Sequence, residues 1–187
     1  MTLFYTGLVI FFAVHLVPVA RNLRGSLIGA MGEKGYKMAF SLLSLVGITL
    51  LFMGRSRFPY TPLYDPPVWG RHLLMLLMMP AFILFVAANL NGHIKALLKH
   101  PMLLGTLIWS GGHLLANGDM SSVLLFGAFA VYAVVDLISA SSRTTDGGPS
   151  TQRPSPAFRN DLVAVVIGLG LYALMFYLHG KWFVPLA

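Results

Sequence analysis

Six histidines, His15, His72, His93, His100, His113 and His179, are the groups in this 187-residue chain best suited to hold a metal or move a proton. Few other residues compete with them. The absence of cysteine removes disulfides, thiolate ligation of haem or zinc, and iron–sulfur clusters together. Glu33 is the sole glutamate, so carboxylate-bridged metals and paired-carboxylate hydrolysis have little to work with. No serine, histidine and acid set, no glycine-rich phosphate loop after a strand and no HExxH helix occurs.

Two of the histidines fall in HPMLLGTLIWSGGHLLANGD, residues 100–119, a segment apolar enough to cross a bilayer. Ionisable groups are costly there, so a functional site is the first expectation. Thr106, Ser110, His113 and Asn117 recur at steps of four, three and four, which places them on one helical face turned into a bundle. His100 lies thirteen residues before His113, ~20 Å away along a helix and on nearly the opposite side, so the two cannot ligate one metal. Pro101 reads as a helix start behind an interfacial His100, Asn117-Gly118 as a turn, and Asp119 as the cap of the next helix.

The elements that must position these residues follow from composition. With 57% hydrophobic and 10% charged residues and a mean hydropathy of +0.76, the chain is expected to be an all-α, polytopic membrane helical bundle forming a single domain over residues 1–187. Six apolar runs, at about 2–20, 38–54, 72–90, 101–116, 121–139 and 162–179, each approach the ~20 residues of a transmembrane helix. The first reads as a retained helix because it lacks a basic leader and a small-residue cleavage site. The loops after runs one, three and five carry Arg21, Arg24, Lys34, Lys37, Lys95, Lys99, Arg143, Arg153 and Arg159, against Arg55, Arg57, Arg71 and Lys181 elsewhere. That sorting puts the odd-numbered loops in the cytoplasm and both termini outside. The formal charge of +7 therefore reflects orientation in a lipid bilayer and does not imply nucleic-acid binding.

Between the runs, RNLRGSLIGAMGEKGYK reads either as an amphipathic segment on the headgroups or as a solvated linker. RSRFPYTPLYDPPVW, with four prolines and four aromatics, resists helix formation and reads as an interfacial cap or a lid over an external pocket. Residues 141–158 read as a flexible linker. Pro80 predicts a kink in the third run, and the methionines before it, Met75, Met78 and Met79, read as helix packing or as the wall of an adaptable apolar pocket. Asp136, Asn160 and Asp161 read as structural, with Asn160 or Asp161 capping the last helix.

The run HPMLLG, Trp109 and HLLANGD resembles the signature of the NnrU family of bacterial membrane proteins, as do VHLVP with Arg24, GYKMAFSLLSLVGI (35–48) and GRHLLMLLMMPAFILFVAANL (70–90). The resemblance covers nearly the whole chain outside 141–158. It implies a multi-pass protein of the bacterial inner membrane. The family is named for its association with nitrite and nitric oxide reduction genes, and its relatives include the haem-dependent 15-cis-zeta-carotene isomerases. Haem b is thus the implied cofactor. The implied activity is isomerisation of an apolar polyene-like small molecule, or a redox role beside denitrification.

By the same resemblance the axial ligands fall on His15 and His113, while Ser110 stands where the isomerases have an alternative thiolate. The residues themselves leave the partner of His113 open. Two axial imidazoles must lie at one depth on facing helices. The topology places His15, His93 and His100 toward the cytoplasmic ends of their spans and His72, His113 and His179 toward the outer ends. The outer layer thus offers His72 or His179 to His113, and His15 lies about two turns deeper. Two other readings stand beside haem: a membrane methyltransferase using the HPMLLG element, although no adjacent acidic pair follows it, and a non-catalytic membrane assembly subunit.

Overall fold

Apolar sequence of helical length becomes helix wherever the backbone must satisfy itself. The structure, a computed structural model, describes residues 1–145 and 155–182. In chain order these residues form α1 (Thr2–Leu16), α2 (Arg21–Arg55), α3 (Gly70–Ala87), α4 (His93–Leu98), α5 (Pro101–Ala116), α6 (Met120–Thr145) and α7 (Phe158–Trp182). Four stretches, Arg21–Arg55, Gly70–Ala87, Met120–Ser142 and Phe158–Lys181, are long and apolar enough to cross a membrane, and Thr2–Leu16 is a shorter apolar helix. Large apolar side chains such as Val9, Val131, Ile138 and Val166 are well exposed on the outside of the bundle, which suits hydrocarbon as the surrounding solvent.

Three boundaries differ from the sequence reading. The first loop is helical: α2 begins at Arg21 and bends at Gly32, whose φ of 73° and ψ of 165° interrupt it ahead of the apolar part. A positive φ is cheap only for glycine, so this residue lets a polar surface segment turn into a spanning one. A short helix, α4, stands between α3 and α5. Of the expected linker 141–158, residues 141–145 continue α6 and Phe158 opens α7, while 146–154 lie outside the described residues. Helix α3 runs through Pro80 to Ala87.

Without a hydrophobic drive between helices in lipid, close contact relies on small residues, and glycines mark the crossings here. On the antiparallel pair α1–α2, a Cβ on Gly7 would fall 2.5 Å from the Leu51 nitrogen, one on Gly47 2.8 Å from the Phe11 nitrogen, and one on Gly54 2.3 Å from the Phe4 nitrogen. On α5, Gly105 sits under Phe85 and Gly112 under Leu74 of α3; on α7, Gly168 meets the Ile83 backbone of α3. Helix α3 thus packs on both α5 and α7, α5 packs on α6, and α1 also touches α6.

The cytoplasm-side ends expected for α3 and α7 are joined by polar contacts. Asp161 accepts hydrogen bonds from the His93 backbone N–H at 2.9 Å, the Ile94 N–H at 2.9 Å and His93 Nδ1 at 2.8 Å. It therefore caps α4, not its own helix, and only a glycine fits at position 92, since a Cβ there would lie 2.2 Å from the Asp161 carboxylate. Asn160 donates to the Asn91 carbonyl at 2.8 Å and Lys95 Nζ to the Ala88 carbonyl at 2.7 Å, covering the end of α3.

The glycine crossings have a measurable consequence. Gly47→Ala must push α1 and α2 apart and should lower stability in detergent by about 1–3 kcal/mol, whereas Gly29→Ala, with open space at its Cβ position, should leave it unchanged. Equal stabilities in reversible denaturant titrations would show that close approach of α1 and α2 is not what holds the pair.

Candidate functional site

Five helices each turn a helical stripe toward one interior space of about 420 Å³, a size typical of small-molecule sites. The stripes are Ile48, Leu51, Phe52 and Arg55 on α2; Arg71, Leu74, Met75, Met78 and Phe82 on α3; Trp109, His113 and Ala116 on α5; Leu125, Phe126 and Phe129 on α6; and Tyr172, Met175, Phe176 and His179 on α7. Steps of three and four put such residues on one face. Asn117, at the end of α5, completes the lining. Arg55 ends α2, Arg71 opens α3, His113 and Asn117 close α5, and His179 lies near the end of α7. The polar groups are therefore gathered at one end of an otherwise apolar, aromatic cavity.

That end is built on Arg55. Its guanidinium donates to Ser121 Oγ at 3.1 Å and to Ser122 Oγ at 2.9 Å. Ser121 Oγ in turn donates to Asp119 at 2.6 Å, Ser122 Oγ bonds the other carboxylate oxygen, and the Ser122 backbone N–H adds a cap bond at 3.1 Å. Each hydroxyl accepts from the cation and donates to the anion, so charge is balanced through two buried serines. Asp119 is the cap of α6 that the sequence predicts. Burial raises its pKa, but the bonds from Ser121 and Ser122 and the nearby Arg55 outweigh this and hold the carboxyl below its ordinary range.

The aromatic loop after α2 straps this end together. Leu63 N–H donates to the Gly118 carbonyl at 2.8 Å and Met120 N–H to the Thr61 carbonyl at 2.8 Å, flanking an antiparallel bridge between Pro62 and Asp119. The Tyr64 hydroxyl lies against the carbonyls of Leu114 and Asn117, which α5 leaves unpaired at its end. Gly118 is required because a Cβ would strike the Tyr64 carbonyl, 1.9 Å away. Among the described residues, 56–69 do not line the cavity, and the loop braces its polar end.

His113 is held from three sides. Its Nδ1 donates to the Trp109 carbonyl at 2.8 Å, which leaves Nε2 as the nitrogen with a lone pair. Its ring stacks on Phe126 at 4.3 Å and 27°, and Trp109 lies 5.2 Å from it. The same Phe126 ring has the Arg55 guanidinium carbon 5.9 Å from its centre. Across the cavity the His179 ring centre is 6.3 Å from that of His113, with the planes at 64°. Ser110, on the same face of α5 as His113, donates to the Thr106 carbonyl at 2.7 Å and is fully buried; Thr106 donates to the Met102 carbonyl. The polar face of α5 thus largely satisfies its own backbone.

The other candidate histidines lie elsewhere. His15 donates Nδ1 to the Phe11 carbonyl at 2.7 Å, stacks on Phe11 and meets Tyr132 edge-on at 5.7 Å. Because His113 stacks on Phe126 and Tyr132 is six residues further along α6, His15 lies ~9 Å away from it in depth. Phe129 stands between the two clusters, 5.4 Å from Phe11 and 5.2 Å from Trp109. His72 is exposed on α3 and does not line the cavity. His93 is spent on Asp161, and His100 occupies the N-cap position of α5 ahead of Pro101 without a side-chain cap bond. Met75 and Met78 belong to the wall, which the sequence left as one of two readings. Among the described residues no three His, Cys, Asp or Glu side chains converge as metal ligands.

A helical protein with lipid-suited outer faces and an apolar cavity whose polar end carries two arginines and two imidazoles is thereby defined. The chain belongs to the family described as NnrU protein, which it matches over residues 3–185. Comparison with curated proteins and with solved structures returned no match.

Asp119 generates a pH prediction. Its folded pKa lies below the unfolded value of ~3.9, so the stability it contributes is present above that value and is lost as pH falls through the folded pKa. Asp119→Ala should cost roughly 1 kcal/mol through the lost cap and should flatten the acid side of the stability profile. An unchanged profile would mean that the Arg55 network does not depend on the carboxylate.

Proposed function

We propose that this chain is a six-span inner-membrane protein, with both termini outside, that holds haem b in the cavity beneath Arg55 and Arg71. The observation that carries this reading is the pairing of chemistry with shape. The walls are aromatic and aliphatic, as a porphyrin face requires; two imidazoles reach the same space; and two guanidinium groups stand at the mouth, where the propionates of an inserted haem would find them. A bare metal ion is poorly served there, since no third side-chain ligand converges among the described residues. A macrocycle that brings four nitrogens of its own needs only axial histidines.

His113 would hold the iron through Nε2. The Trp109 carbonyl fixes the tautomer, the role usually played by an outer acceptor around a ligating histidine. Phe126 and Trp109 keep the ring from rotating and exclude water from its neighbourhood. Arg55 is pre-placed by Ser121 and Ser122, so its charge is oriented before any ligand arrives. Bound haem would supply the redox-active iron that either implied role calls for, isomerisation of an apolar polyene-like substrate or electron traffic beside nitrite and nitric oxide reduction.

The HPMLLG element that suggests a methyltransferase also has local work. His100 and Pro101 begin α5, and Gly105 admits Phe85 of α3.

The test is the absorption spectrum of the purified full chain after haem loading. Wild type should show a six-coordinate b-type Soret band that shifts on reduction, and His113→Ala should lose the haem or show it five-coordinate while still inserting in the membrane. An unaltered six-coordinate spectrum in His113→Ala would remove His113 from the site.

A further inference from the structure

Resemblance assigns the second axial ligand to His15, whereas the cavity brings a different histidine to His113. We propose that His179 of α7 shares the haem iron with His113; this rests on the haem reading above and departs from what the resemblance implies.

Three observations carry it. Both rings line the same cavity, which includes neither His15 nor His72. The ring centres are 6.3 Å apart. A metal bonded to an imidazole nitrogen at ~2 Å lies roughly 3 Å from that ring's centre, so two imidazoles on opposite sides of one metal have centres roughly 6 Å apart. The rings now meet edge-to-face at 64°, and shared ligation needs each to turn its free nitrogen to a common point, which the angle between planes alone does not prevent.

The third observation is mechanical: each histidine stands on a helix held by separate contacts. His113 is fixed by Trp109 and Phe126. Helix α7 is fixed on α3 by Gly168 against Ile83 and, at its far end, by Asp161 and Asn160 on the start of α4 and the end of α3. Helices α5 and α7 both lean on α3 from different sides, so α3 acts as the spacer that sets the gap between the two rings. By contrast, His15 is ~9 Å from His113 in depth, behind Phe129 and enclosed by Phe11, Phe40 and Tyr132.

The experiment compares full-length wild type, His179→Ala, His179→Met, His15→Ala and His72→Ala, each loaded with haem b in detergent and read by ultraviolet–visible and magnetic circular dichroism spectra. His179→Ala should turn the ferric spectrum from six-coordinate low-spin to five-coordinate high-spin, and added imidazole should restore the low-spin form. His179→Met should give the distinct signature of mixed imidazole and thioether ligation, while His15→Ala and His72→Ala should keep the wild-type spectrum. A wild-type spectrum in His179→Ala, or conversion to high spin in His15→Ala or His72→Ala, would overturn the pairing and leave haem binding standing. Loss of haem from both His179 variants without rescue by imidazole would make His179 a packing residue and also overturn it. Wild type that takes up no haem would remove the haem reading and the pairing together.

Discussion

The charge of Arg55 governs the organisation of this molecule. It sits at the end of a long apolar helix, where an uncompensated cation is expensive. The solution is a relay: two serine hydroxyls accept from the guanidinium and donate to Asp119, which also caps α6. One interaction therefore fixes the end of α2, the start of α6 and the turn at Asn117–Asp119, and through that turn the strap of residues 61–64. It also places positive charge beside Phe126, the ring on which His113 rests. The mouth of the cavity is the meeting point of these constraints.

The cavity itself follows from where small residues are spent. Glycines bring α1 against α2, α5 against α3 and α7 against α3 to backbone distance. Close packing is thereby used up on those pairs, and the stripes of α2, α6 and α7 that face inward carry Phe52, Phe126, Phe129, Tyr172 and Phe176. Bulky rings on helices that are not drawn together leave a space with apolar walls. The same logic explains why the methionines of α3 line it, since their flexible chains suit an irregular wall.

Much of this was legible in the residues. His113 in an apolar run, the Asn117-Gly118-Asp119 turn, the helix start at Pro101 and the four long apolar helices all follow from local rules of burial, turn chemistry and capping. What was not legible depends on contacts across the chain. Asp161 looked like the cap of its own helix because capping rules are local, yet it reaches 68 residues back to His93. Ser110 shares a helical face with His113, yet its buried hydroxyl goes to the backbone carbonyl one turn earlier, as such a hydroxyl within a helix readily does. His179 was one of two outer-layer candidates, and depth alone could not separate it from His72. Which face of α3 and α7 turns inward is decided by the glycine crossings, and those put His72 outside and His179 within.

We propose above that this cavity takes one planar, carboxylate-bearing tetrapyrrole between two imidazoles. Quantitative haem extraction combined with low-temperature electron paramagnetic resonance of the oxidised, purified protein tests it most directly. The account predicts one b-type haem per chain with a low-spin ferric signal of bis-imidazole ligation. A purely high-spin signal, or a chain that stays free of haem at saturating haem concentration, would contradict it.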